Sequence, residues 1–327
     1  MPNPTESKRS HTGVDTRVWI ELGLLALMWG STFLLMKVAV PSVPAFTMSG
    51  VRGLLAAAIL WIAVSARRRE AGQSSDSWVP PLVLGTLSGW LPNVLTAWAL
   101  LRLDSSAAGM LSAAAPIFVV VLAHFFLASE RISGVQVGGV VIGLGGVGLI
   151  IGVTPASFGG QDLAGQIAMV VVALSYAAGT VYARMIGPQD APRLAMRQQL
   201  VAGAVAVAVA LVLEQPWNVE PEPIAIAGIV GLAIWASAIP IWLYFRMLGH
   251  TRAVTVSLIA YLIPAVAVIL GALVLGEKLD PSAAVGLLVV LVGVFITTRP
   301  RRGGATPPVS AAGIDTGDGA AEPSTGV

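Results

Sequence analysis

Ten apolar runs follow one another through residues 18–298, with only short polar gaps between them. A helix needs about 20 predominantly apolar residues to cross the hydrocarbon core of a bilayer. Hydropathy and helix breakers together predict spans at 18–37, 45–66, 79–101, 105–128, 134–152, 163–185, 194–213, 224–246, 252–275 and 282–298. The gaps hold the punctuation: Pro41 and Pro44, the Arg67-Arg68-Arg69 to Ser77 stretch, Thr154-Pro155, Gly187-Pro188, Pro216 to Pro223, and Asp280-Pro281. Only 11% of the residues are charged and 56% are hydrophobic. A soluble domain carries about 25% charge, so an ordinary soluble enzyme is excluded. The expected class is an all-α integral membrane protein.

The ends are different. Residues 1–17 are polar, and from Arg299 to 327 the chain turns to Arg, Pro, Gly, Ser and Ala. Both read as solvated, disordered cytoplasmic tails. The first apolar run has no small-residue cleavage site behind a short core, which predicts an uncleaved first crossing.

Basic residues are sorted by side. With ten crossings and a cytoplasmic N-terminus, fifteen of the nineteen Lys and Arg fall on inside segments; only Lys37, Arg102 and Lys278 fall outside, and Arg52 lies within a helix. The 214–223 loop, predicted outside, carries Glu214, Glu220 and Glu222 and no basic residue. This bias predicts a multi-pass protein of the inner or plasma membrane with both termini in the cytoplasm. The pI near 9.2 reflects these arginines at a net charge of only +2 and does not point to nucleic acid. With no cysteine there are no disulfides, thiolate metal sites or Cys nucleophiles, and His11, His124 and His250 are too few and scattered for a metal cluster. No cofactor is expected.

Two halves, 18–152 and 163–298, resemble each other at a shift of 147 or 148 residues. Trp29 aligns with Tyr176, Lys37 with Arg184, Arg52 with Gln199, Pro92 with Pro240, Pro116 with Pro264, Glu130 with Glu277, Gly139 with Gly286 and Gly146 with Gly293. Five helices per half is an odd number, so the second copy enters from the opposite face and the repeats are inverted. Inverted repeats underlie many secondary transporters, with the solute near the midplane between them.

Several of these segments resemble the EamA family of the drug/metabolite transporter superfamily. Trp29-Gly30-Ser31-Thr32-Phe33 is similar to its opening motif, and Arg52 to an arginine early in its second helix. Ala115-Pro116-Ile117 through Leu127-Ala128-Ser129-Glu130-Arg131, and Leu262-Ile263-Pro264 through Leu275-Gly276-Glu277-Lys278-Leu279, resemble its two proline-to-glutamate segments. Ser175-Tyr176-Ala177-Ala178-Gly179 resembles its sixth-helix motif, with Tyr176 where the family often has Trp. The resemblance spans roughly 18–298. It implies a ten-helix exporter or importer of small polar metabolites with a central cavity. Substrates in that family range over amino acids, other metabolites and toxic organic compounds.

Arg52 is the sharpest site candidate. A charge inside a lipid-buried helix is costly, so it should face the interior and find a partner. It either holds a solute carboxylate or other anion through paired hydrogen bonds, or bonds backbone carbonyls as a structural arginine. His124, as an imidazole, could carry a proton in an antiport cycle, or sit neutral and bonded to a neighbouring helix. Pro92, Pro116, Pro240 and Pro264 stand mid-helix at matching positions, where each removes a backbone bond and kinks its helix. Interrupted helices in equivalent positions mark a binding site. The cavity is therefore expected beside the third, fourth, eighth and ninth spans, with Asn93, Trp29, Trp98, Tyr176, Trp235 and Tyr261 as wall residues and Trp90 and Trp242 nearby. The glycines of 134–148 read as close helix packing, with a possible dimer face, so the expected state is monomer or homodimer. Glu130 and Glu277 are either a gate or loop carboxylates satisfied by backbone donors.

These features favour a secondary transporter, and an exporter on family resemblance, moving small polar or amphipathic solutes such as amino acids by alternating access. A membrane enzyme acting on a lipid-linked substrate would need clustered carboxylates for a divalent metal, which the spans lack. A non-transporting scaffold is the third alternative.

Overall fold

The computed structural model describes residues 16–65, 77–127, 132–151, 161–187, 189–250 and 259–298. Apart from Thr16 and Arg17, the tails expected at 1–17 and 299–327 lie outside them, as do Glu130, Arg131 and residues 252–258 of the ninth predicted span.

Among the described residues every regular element is helical. In chain order they are α1 (Thr16–Ala39), α2 (Ala45–Ser65), α3 (Val79–Gly85), α4 (Leu91–Leu100), α5 (Ser105–Ser112), α6 (Ala115–Phe126), α7 (Gly134–Ile151), α8 (Gln161–Met185), α9 (Ala191–Leu213), α10 (Pro223–Ala233), α11 (Ile239–His250), α12 (Ile259–Leu275) and α13 (Pro281–Thr297). Seven spans among the described residues are long and apolar enough to cross a membrane: Thr16–Ala39, Ala45–Ser65, Ser105–Phe126, Gly134–Ile151, Leu163–Met185, Ala191–Leu213 and Pro223–Tyr244. α12 and α13 are apolar helices of 17 residues each.

Two predicted spans are broken where proline dictates. Between α3 and α4 the chain makes a π turn, Thr86–Trp90, and between α10 and α11 another, Ile234–Ala238. Pro92 and Pro240 follow as the second residues of α4 and α11. A proline ring clashes with the carbonyl four residues earlier and offers it no N–H, and a wider turn relieves both. Gly89 takes up the first distortion with φ −125° and ψ −109°. Serine hydroxyls reach carbonyls beside the two interruptions: Ser175 of α8 donates to the Leu87 carbonyl at 2.7 Å, and Ser237 donates to the Leu232 carbonyl at 2.8 Å. Pro116 is the second residue of α6, after a tightened turn at Ala113-Ala114 whose N–H groups reach the carbonyls three residues back, and Pro264 lies inside α12.

Packing pairs helices that are far apart in sequence. α2 lies along α9 and α7 along α13; α8 packs on α4, α5 and α6, while α1 packs on α10, α11 and α12. The α2–α9 and α7–α13 seams are close because glycines meet there. A Cβ on Gly203 would run into the backbone of Gly53 and Leu54, and one on Gly293 into the backbone of Gly143. On α7 only part of the glycine run serves this seam: Gly139, Gly143 and Gly146 abut neighbours, whereas a Cβ added to Gly134, Gly138, Gly145 or Gly148 would meet nothing within 4 Å among the described residues. The largest apolar cluster joins Met36, Met48, Leu100, Leu111, Ile117, Met169 and Leu232, drawn from α1, α2, α4, α5, α6, α8 and α10.

Charged side chains tie one end of the bundle together. Lys37 donates to the Leu100 and Leu103 carbonyls at 2.8 and 2.6 Å, neutralising the negative C-terminus of α4. Glu277 accepts from the backbone N–H groups of Ser105 and Ser106 at the start of α5. Glu214 accepts from Phe46 and Thr47 at the start of α2. At the opposite end Glu21, buried on α1, meets Arg17 at 3.3 Å and Arg246 of α11 at 3.9 Å.

Candidate solute-binding site

Arg52 lies two turns into α2 and is 8% exposed. Its Nε donates to Ser237 Oγ at 2.9 Å, and its Nη1 to Asn93 Oδ1 at 3.3 Å. Ser237 belongs to the second π turn, and Asn93 follows the first by three residues, next to Pro92. One guanidinium therefore bridges both proline-interrupted spans. Among the described residues no carboxylate comes within ion-pair distance of it.

A buried cation with neutral partners is costly, and the cost falls when an anion arrives. Tyr176, on α8, lies close enough to Arg52 for the two to interact electrostatically. Ser49, one turn before Arg52 on α2, is 1% exposed, and its hydroxyl has no hydrogen-bond partner among the described residues. One further turn toward the start of α2, Phe46 stacks on Trp90, whose ring nitrogen donates to Thr86 Oγ1 at 3.2 Å.

The other residues singled out from sequence make the following contacts. Trp29 packs against Tyr244 with ring centroids 5.7 Å apart, and Trp235 donates to Ser31 Oγ at 3.0 Å, joining α1 to the second π turn. Trp98 lies under the Arg102 guanidinium, 3.7 Å from its ring centroid. Tyr261 pairs its hydroxyl with Thr298 at 3.0 Å, at the far end of α13, and Trp242 lies beneath Arg246. His124 sits in the last turn of α6, not deep in its span, and its Nδ1 accepts the Ile132 N–H at 3.1 Å across the α6–α7 connection. The structure thus joins Arg52 to Asn93 by a hydrogen bond, with Tyr176 within electrostatic reach of the guanidinium.

Ser237 was missing from the sequence reading. A serine in an apolar run has no periodic signature, and only its place three residues before Pro240 could have drawn attention to it. Among the described residues no group of three His, Cys, Asp or Glu side chains could hold a metal ion.

A model of the EamA-like transporter family matches residues 18–152 and again 163–299. This chain belongs to that family. Among curated relatives, the uncharacterized transporter YoaV of Bacillus subtilis is 24% identical over 284 residues, covering 86% of this chain and 97% of that one. The uncharacterized inner membrane transporter YedA of Escherichia coli K12 is 26% identical over 276 residues, covering 84% and 88%. The WAT1-related protein At3g02690, chloroplastic, of Arabidopsis thaliana is 25% identical over 292 residues, covering 86% and 69%. A crystal structure matches with a TM-score of 0.62 at 18% identity, covering 87% of this chain and 98% of its own, and so shares the fold. The EamA-like protein described here is therefore a multi-pass membrane transporter and not an enzyme.

Proposed function

We propose that this EamA-like protein is a secondary transporter that exports small polar or amphipathic metabolites, such as amino acids, by alternating access. The observation that carries the reading is Arg52: a buried guanidinium, without a carboxylate partner among the described residues, that spans the two proline-interrupted helices. A solute carboxylate would supply the missing charge. Asn93 and Tyr176 complete the polar lining, Trp29 and Trp235 form an aromatic wall toward α1, and Trp98 and Tyr261 mark the two approaches.

Ten spans in two inverted repeats, 18–152 and 163–298, give the frame. Three observations support it. The family model matches twice, the two π turns lie 148 residues apart, and α8 packs on α3, α4 and α6 as α1 packs on their counterparts α10, α11 and α12. The basic bias puts both termini in the cytoplasm. For proton coupling the reading keeps His124. A proton gained at Nδ1 would break the Ile132 bond and so act on the α6–α7 connection.

Counterflow in proteoliposomes tests this, with radiolabelled amino acids as probes and Arg52→Lys and Arg52→Gln beside the wild type. The reading expects wild-type exchange that the Gln variant loses and the Lys variant retains only with weakened affinity, because an ammonium cannot make the paired bonds. Unchanged affinity in both variants removes Arg52 from the site.

A further inference from the structure

A guanidinium that binds an anion through paired bonds must be held in one orientation, and the surroundings of Ser237 set it. A guanidinium has five N–H donors in a rigid planar fork. Two of them are committed in Arg52: Nε–H to Ser237 and one Nη1–H to Asn93. Three remain, one on Nη1 and two on Nη2; with Nε–H taken, the side-on Nε–Nη2 pair is closed, and the Nη1–Nη2 edge is the end of the fork left to match the two oxygens of a carboxylate.

Ser237 holds its side of this arrangement firmly. It is 2% exposed, and its hydroxyl proton goes to the Leu232 carbonyl at 2.8 Å. A hydroxyl that has given up its one proton can only accept, so its remaining lone pairs are available to Nε. Ser237 is also fixed in place by the π turn, Ile234–Ala238, that precedes Pro240. The helix interruption thus does more than bend the span: it places an oriented acceptor against the stem side of the guanidinium.

We infer that Ser237 is a positioning residue that takes the Nε of Arg52 and thereby presents the Nη1–Nη2 edge end-on to a carboxylate of the solute. The inference rests on the transport reading above, carboxylate included, and adds to it the residue that aims the cation and the end-on geometry of the contact. Carboxylates engaged end-on discriminate sharply against the corresponding amides, which offer one acceptor oxygen and no charge.

The test measures counterflow of radiolabelled L-amino acids by the wild type, Ser237→Ala and Ser237→Thr in proteoliposomes, with the matching amino acid amides as competitors. Ser237→Ala should raise KM about tenfold, the scale of a hydrogen bond to a charged group, while the maximal rate stays within about twofold. Inhibition by the amides should not change, and Ser237→Thr, which keeps the hydroxyl, should restore KM. A Ser237→Ala variant that weakens amino acids and amides alike, or neither, overturns the inference and leaves the transport reading standing. A wild type that exchanges none of these amino acids removes both. Should the alanine variant fail to fold, Ser237→Cys replaces the hydroxyl with a poor acceptor of similar shape, and the same KM rise is expected; an unchanged KM there overturns the inference.

Discussion

Glu277 accepts the backbone N–H of Ser105 at 2.7 Å across 172 residues of sequence. Its second carboxylate oxygen takes Ser106 N–H at 2.9 Å, so a side chain from the α12–α13 turn satisfies two of the free donors at the start of α5. The adjacent α4 end is held by Lys37, so opposite charges grip the two sides of the Leu101–Asp104 turn, each matched to the helix end it meets.

Partial burial pushes the Glu277 carboxyl up, but donation from Ser106 and Ser105 outweighs it and holds the group below the ordinary carboxylate value of 4.5. A depressed folded value means that the stabilisation is present above the unfolded value and is lost as pH falls through the folded one. Glu277→Gln should therefore lower the apparent melting temperature in detergent at neutral pH by about 2 °C, the shift expected for a cap worth about 1 kcal/mol. Acidification through the carboxylate range should close the gap between variant and wild type. A gap that widens in acid would show that the carboxylate is not the stabilising species.

Adjacent glycines on α7 should respond oppositely to the same substitution. A Cβ on Gly146 would meet the backbone of Val290 and Gly286 on α13, whereas one on Gly145 meets nothing within 4 Å among the described residues. Gly146→Val should cost about 1–3 kcal/mol or more through overpacking and lower the apparent melting temperature by several degrees. Gly145→Val should leave it nearly unchanged. Equal effects would place the α7–α13 seam on a different face.

His124→Gln separates capping from proton exchange. The glutamine carbonyl can still accept the Ile132 N–H that His124 Nδ1 accepts at 3.1 Å, but it cannot titrate. Thermal stability should be retained while the pH dependence of counterflow flattens. An unaltered pH profile assigns the imidazole to the α6–α7 connection alone.

Much of the framework was legible because it is periodic or chemically costly. Apolar runs of bilayer length have few alternatives, and Pro92 and Pro240 announce interruptions since no helix accommodates a proline without loss. Arg52 stood out for the same reason: charge inside an apolar run demands a partner. The partner itself was illegible. Ser237 meets Arg52 only because a π turn 185 residues away in sequence rotates it there, and a one-residue widening of a helix leaves no pattern in hydropathy. Glu277 was read as either a gate or a loop carboxylate. Its donors are backbone N–H groups, but they come from α5 and not from its own loop. Aromatic residues were the weakest guide, because Trp98 and Tyr261 suit a cavity wall and a helix end equally well in sequence.

The most direct test of the central claim, one site opened in turn to either face, exploits the absence of native cysteine. Asn93→Cys places a single thiol beside Arg52, and a small membrane-impermeant thiol reagent is applied to right-side-out and to inside-out vesicles. The account predicts labelling from both faces, each slowed when Arg52 is occupied by a transported amino acid. Labelling confined to one face, under every condition tried, would contradict it.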